Sequence, residues 1–123
     1  MLFRSKAITP KTKAIMPIDY AGQSAESVEI NEIAQKHKLV VIEDGAPALG
    51  ALHKNKKVGS ISTVTGFSFG PDKNMNTGEG GMIATDDVEL LKYAEFYEKM
   101  EQRKDTITHT LVGMQKCRIR VLH

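Results

Sequence analysis

Tryptophan is absent from this 123-residue chain, and only three tyrosines and four phenylalanines are present. That is little aromatic surface for the stacking platforms that hold single-stranded nucleic acid. The formal charge is only +2, and the lysines and arginines are scattered, so there is no electrostatic footprint for a polyanion; we expect no nucleic-acid partner. Cys117 is the single cysteine, which excludes an internal disulfide. With no long apolar segment near the N-terminus, it predicts a reducing, cytoplasmic setting. One cysteine and four dispersed histidines lack the close ligand spacing of a zinc site, and no metal is expected. No run approaches the roughly 18 apolar residues of a membrane span.

What is present is the pattern of one α/β domain. The length permits a single core, and 41% hydrophobic with 26% charged residues places the chain among globular proteins. "AIMPI" (residues 14 to 18) reads as a short strand, with Pro17 placing it at an edge or near a strand end. Residues 25 to 38 read as a helix: Ile30, Ile33, Ala34 and His37 recur at i, i+3, i+4 and i+7, and Ser24 or Ser27 is available as N-cap. "LVVIE" (39 to 43) is the clearest strand, continuous and β-branched, so both of its faces are expected to be covered. Strand, helix and strand over 14 to 43 make a βαβ unit and a parallel pair. Residues 45 to 60 read mostly as loop, 63 to 69 and 81 to 85 as strands. Asp86 is placed to cap a following helix, with Glu89 as reciprocal partner, and that helix runs to about residue 102 on a stripe of Val88, Leu91, Ala94 and Tyr97. Residues 105 to 123 are less coherent, although Cys117, Ile119 and Val121 alternate as one strand would.

The candidate chemistry sits where strands end. Ligands of open α/β sheets collect outside the carboxyl ends of the strands, and Glu43 and Asp44 lie at such an end. Between the strands at 63 to 69 and 81 to 85 runs the loop "GPDKNMNTGEGG", holding one lysine, Lys73. A desolvated lysine amine can attack a carbonyl carbon, and pyridoxal phosphate is the cofactor that most often uses one. Ser68 and loop amides can donate to a phosphate, Asn74 and Asn76 can bind backbone, and Asp44 can face a pyridine nitrogen. Each feature also has an ordinary reading. A lone loop lysine is usually solvated, Asp44 can cap a turn, Ser68 can bond to backbone, and "TGEGG" can be a plain turn or an unrelated phosphate cradle at 77 to 81.

Taken in order, "AIMPIDYAGQSAES", "INEIAQKHKLVVIEDGAPALGA", "KVGS" and "FSFGPDKNMNTGEGGMIATDD" resemble the DegT/DnrJ/EryC1/StrS sugar aminotransferases across about residues 7 to 100. The resemblance implies a fold of α/β class, a partial mixed or parallel sheet with flanking helices, as a fragment of the fold type I (aspartate-aminotransferase-like) cofactor domain. It implies pyridoxal 5'-phosphate as cofactor and amino transfer, usually from glutamate, to a nucleotide-linked keto sugar, by homodimers whose sites the partner subunit completes. Lys73 matches the family's Schiff-base lysine, Asp44 the carboxylate at the pyridine nitrogen, Ser68 the phosphate-holding serine, and Asn74 with "TGEGG" the active-site wall. Two departures stand out. Pro47 occupies a position where the family usually has Gln or His, and Gly70, Pro71 and Asp72 precede the lysine, where Asp72 favours a protonated amine if the two side chains approach. Family members are much longer, with a second phosphate loop, a ring-stacking residue and a small domain. The expectation is therefore part of a large cofactor domain over 1 to 104 and a divergent or truncated tail over 105 to 123. The alternative is a catalytically inactive fragment or a small α/β module that binds a partner.

Overall fold

Val40–Asp44 (β2) is the strand against which the others are placed. In the computed structural model, which describes residues 5–102 and 118–122, it lies between β1 (Ala14–Ile15) and β5 (Val64–Ser68) and is parallel to both. β6 (Gly81–Thr85) pairs antiparallel with β5, and β7 (Arg118–Leu122) antiparallel with β6, giving a mixed sheet in the order β1-β2-β5-β6-β7. Helix α1 (Ser27–His37) makes the β1-to-β2 crossover, and α2 (Val88–Gln102) follows β6. Among the described residues no helix is long and apolar enough to cross a membrane.

α1 forms because Ile30 and Ala34 fall on one face, and both are buried together with Val41 of β2. Burying side chains the size of Ile30 or Val41 contributes about 1.5–3 kcal/mol each. The helix stops at Lys38, whose left-handed backbone directs its N–H to the carbonyls of Ala34 and Gln35. Its start differs from expectation. Neither Ser24 nor Ser27 caps it; Glu26 is the N-cap residue and makes no side-chain cap bond, because the Ser27 hydroxyl is directed to Glu43.

The second core joins β5 and β6 to the segment after β2: Ala48, Val58, Phe67, Phe69 and Ala84. Gly45 makes this possible. A Cβ there would stand 2.8 Å from Thr65 Cγ2 and 2.9 Å from Phe67 Cε1. Residues 45 to 60, expected mostly as loop, contain a 3-10 turn (Ala46–Ala48) and a two-residue-strand hairpin, β3 (Leu52–His53) with β4 (Lys56–Lys57). Lys54 and Asn55 between them both have positive φ, as a tight hairpin turn with the sheet's twist requires.

Two expectations are corrected. β2 is covered on one face only: Val41 and Glu43 are buried, while Val40 and Ile42 are 44% and 36% exposed. Side chains alternate along a strand, and α1 covers one side. The cap of α2 is Asp87, not Asp86. Asp87 Oδ1 accepts the N–H groups of Glu89 and Leu90 at 2.9 and 3.0 Å, and Glu89 pairs with Lys92 instead of closing a box. The shift of one residue follows from Thr85, whose hydroxyl donates to the Thr63 carbonyl and accepts the Asp87 N–H, tying Asp87 into the turn. On α2 Leu91 is buried, but Val88 and Tyr97 of the anticipated stripe are exposed, as is Phe96.

Candidate active site

β2 and β5 run side by side in the same direction and end at Asp44 and Ser68. Asp44 lies opposite Gly66. With a side-chain period of two, Asp44, Gly66 and Ser68 share one face of the sheet, the face that α1 leaves open. A Cβ on Gly66 would meet nothing within 4 Å, so the floor between the carboxylate and the hydroxyl is free space.

Asp44 is held by its own backbone. Its N–H donates to the Pro17 carbonyl and its carbonyl accepts the Asp19 N–H, both at 2.9 Å. Its Oδ1 accepts the Ala46 N–H at 3.1 Å, and among the described residues Oδ2 receives no donor. Ser68 Oγ accepts the Gly70 N–H at 3.3 Å, and no described residue accepts its hydroxyl hydrogen. The loop after Ser68 is folded back on itself: the Lys73 N–H donates to the Gly70 carbonyl, the Thr77 N–H to the Phe69 carbonyl, and the Phe69 N–H to the Gly80 carbonyl. Gly78 and Gly80 take positive φ in this return, which explains two of the glycines in "TGEGG".

The loop walls a cavity of about 260 Å³, together with the Ala21–Gly22 turn and with Ala46 and Pro47; its own contribution is Asp72, Lys73 and Asn74. The structure thus brings Lys73 and Asn74 into one cavity and Asp44 and Ser68 onto one sheet face. The two groups meet through main chain. Ala46 lines the cavity and binds Asp44, and Gly70 binds both Ser68 Oγ and the Lys73 N–H. Asp44 and Ser68 are not part of the cavity's lining. Pro47, which has no donor, is a wall.

Lys73 Nζ donates to Asp72 Oδ2 at 2.8 Å; the lysine side chain is 28% exposed and the aspartate 76%. The lysine hydrogen bond holds the Asp72 carboxyl below the usual carboxylate range.

Two buried acids behind the site had no distinguishing signal in the sequence. Glu43, at the same strand end as Asp44, is structural: it is buried and accepts the Ser27 hydroxyl on Oε1 and the Thr65 hydroxyl on Oε2, the latter at 2.8 Å. Asp19 is buried too. Its Oδ1 accepts the Ala25 N–H at 2.8 Å, and Oδ2 has no partner among the described residues. Burial pushes the Asp19 carboxyl up; the Ala25 hydrogen bond opposes that, and the neighbouring Glu43 and Asp44 carboxylates add to it.

Comparison with known proteins follows the same blocks. The model of the DegT/DnrJ/EryC1/StrS aminotransferase family matches residues 5–121. GDP-perosamine synthase of Caulobacter vibrioides is 51% identical over 83 residues, 68% of this chain and 22% of that protein. Among solved structures, S. venezuelae DesV in complex with a ketimine intermediate overlays with a TM-score of 0.77 at 33% identity, over 97% of this chain and 32% of that one. The E coli GDP-4-keto-6-deoxy-D-mannose-3-dehydratase with bound hydrated PLP overlays with a TM-score of 0.64 at 33% identity, over 71% of this chain and 22% of that one. The chain spans about a fifth of the length of the curated relatives it matches. The family model nonetheless takes in β1 through β7, the Asp44 strand end and the whole lysine loop, and on that match the chain belongs to the DegT/DnrJ/EryC1/StrS aminotransferase family.

Proposed function

We propose that this chain carries the reactive lysine and part of the cofactor seat of a pyridoxal-phosphate-dependent aminotransferase. Its reaction moves an amino group, with glutamate as donor, onto a nucleotide-linked keto sugar, in the cytoplasm and as a step of amino-sugar or polysaccharide synthesis. The observation that carries this reading is the pairing of Asp44 with Ser68 across an open Gly66 floor, with Lys73 tied to Ser68 through Gly70. The donor set fits the cofactor. Asp44 Oδ2 is free to hold a protonated ring nitrogen, the Ser68 hydroxyl has a hydrogen to give a phosphate oxygen, and Lys73 Nζ supplies an amine in the adjoining loop.

When bound, pyridoxal phosphate supplies an aldehyde carbon and an electron-withdrawing ring. The chain's own residues would orient and protonate. Asp44, fixed by the Ala46 N–H, keeps its carboxylate on the ring-nitrogen side. Ser68 anchors the phosphate end. Lys73 Nζ would be the amine that holds the cofactor and, as a free amine, would carry a proton to and from the substrate carbon. Asn74 shapes the wall. The substrate class rests on the relatives, among them GDP-perosamine synthase and GDP-4-keto-6-deoxy-D-mannose-3-dehydratase.

The test is cofactor capture. The chain is incubated with pyridoxal phosphate, reduced with borohydride and mapped by peptide mass spectrometry. The pyridoxyl mass is expected at Lys73, and Lys73→Ala is expected to abolish site-selective labelling. Labelling spread evenly over the surface lysines would overturn the assignment.

A second reading is favoured by one observation, the apolar side chains left exposed on the face shared with Asp44. Met16, Ile18, Val40 and Ile42 could serve a non-catalytic module that binds a partner. The same face suits the homodimer that the family resemblance implies. Selective capture at Lys73 separates the catalytic reading from the purely binding one.

A further inference from the structure

Asp72 stands beside the reactive amine and is not needed by the chemistry just described. Its Oδ2 accepts from Lys73 Nζ at 2.8 Å, and among the described residues the two are the only charged side chains lining the cavity. The β1-to-α1 turn contributes Ala21 and Gly22 there, and the segment after β2 contributes Ala46 and Pro47, none of which titrates. The second Asp72 oxygen lies near Ser68. Asp72 Oδ1 and Ser68 Oγ lie 3.4 and 3.6 Å from the single point where a Cβ on Gly70 would stand. Glycine at position 70 therefore leaves a small space that both the serine hydroxyl and a carboxylate oxygen border.

Resting on the cofactor reading above, we propose that Asp72 is a positioning residue that tethers Lys73 Nζ in an ion pair, which must open before the amine can react. An ammonium held by a carboxylate has no free lone pair, and attack on a carbonyl carbon needs one. Asp72 is mostly exposed while Lys73 is largely covered, so the tether is anchored at its solvent end and screened by salt. A carboxylate beside Ser68 also opposes the arrival of a phosphate dianion at the same edge. In the cofactor-free chain the pair thus keeps the lysine amine occupied; an incoming aldehyde-phosphate must separate it.

The test reads the amine without the cofactor. The full chain is treated with a small acylating ester, which reacts only with neutral amines, and the rate at Lys73 is followed by peptide mass spectrometry. Asp72→Asn is expected to raise that rate about two- to fivefold at neutral pH, the range an exposed ion pair supports. Asp72→Glu, which keeps the charge, is expected to remain near the wild-type rate. High salt is expected to speed the wild type and leave Asp72→Asn unchanged. Lys92, paired with Glu89 at 2.7 Å, is the internal reference for the substitutions and keeps its rate in Asp72→Asn and Asp72→Glu at fixed salt. Equal Lys73 rates in wild type and Asp72→Asn would overturn the tether, as would a rise matched at Lys92. Because no cofactor takes part, a failed pyridoxal-phosphate capture would refute the cofactor reading alone, and an unchanged acylation rate would refute the tether alone.

Discussion

Glu43 shows how much of the site's geometry depends on a residue that takes no part in the chemistry. A buried carboxylate is costly unless its oxygens are occupied, and here each oxygen receives a hydroxyl, one from the start of α1 and one from β5. The same carboxylate therefore joins helix and two strands one residue before Asp44. Thr65→Val keeps the shape of the side chain and removes the donor, leaving one oxygen of a buried acid unsatisfied. The expected cost is about 1–3 kcal/mol, read as a lower urea midpoint with an unchanged slope. At this scale the sequence was legible only in part. Asp44 and Lys73 stand out because one ends an apolar run and the other is the single lysine of a glycine-rich loop. Ser27, Glu43 and Thr65 are far apart in the chain, and no local pattern announces that three polar side chains will meet inside the protein.

The loop Asp19 to Ala25 is the element that closes one wall of the cavity, and Asp19 holds it from within by accepting the Ala25 N–H. That bond comes with a buried oxygen that lacks a partner, and the acid's folded pKa lies above its ordinary 3.8. A raised folded value means that the folded state binds a proton more tightly than the unfolded one. The stability this confers is complete below 3.8 and is lost as pH rises through the raised value. Glu29 behaves in the opposite sense. Lys54 above all, with His53 at 3.3 Å, holds its carboxyl down to about 2, so its contribution is complete above 4.5 and falls away only toward that value. A decline in stability as pH rises from 3.8 is thus assigned to Asp19 and not to Glu29, whose contribution only grows over that range. Asp19→Asn is expected to flatten that decline in urea midpoints measured from pH 3.8 upward; an unchanged slope would remove Asp19 as its source. The elements themselves were largely readable. α1, β2, β5, β6 and α2 fall within a residue or two of the periodic patterns, because period 3.6 and period 2 follow directly from which faces are buried. The caps were not readable to the residue: Ser27 is drawn off by Glu43, and Thr85 moves the start of α2 onto Asp87. The β3–β4 hairpin was missed because its turn residues, Lys54 and Asn55, include no glycine to mark a positive φ.

At the scale of the whole molecule, the described residues finish the sheet on one side and leave the other exposed. Met16 and Ile18 are 66% and 58% exposed, and strand register places them on the same face as Val40, Ile42 and Asp44. A second apolar patch, Tyr93, Phe96 and Tyr97, lies on α2, with Phe96 and Tyr97 packed edge to face at 5.9 Å. The run "LVVIE" pointed to cover on both faces, and its composition is what such a strand needs; what the described residues supply is cover for one. Contiguous apolar surface of this kind drives association, and the sheet face is the stronger candidate because it spans two paired strands and is continuous with the Asp44 strand end. Met16→Lys combined with Val40→Lys places two charges on that face. Losing about 1 kcal/mol of apolar burial at each position should weaken self-association about tenfold or more. Sedimentation velocity over a concentration series is expected to show the wild-type chain shifting to larger species and the double variant remaining monomeric. If Phe96→Ser abolishes association while the double variant retains it, the contact belongs to α2 and the sheet face is free for something other than a second copy. The same series run with pyridoxal phosphate then reports whether covering the face and filling the site are coupled, since both use the one surface that carries Asp44 and Ser68.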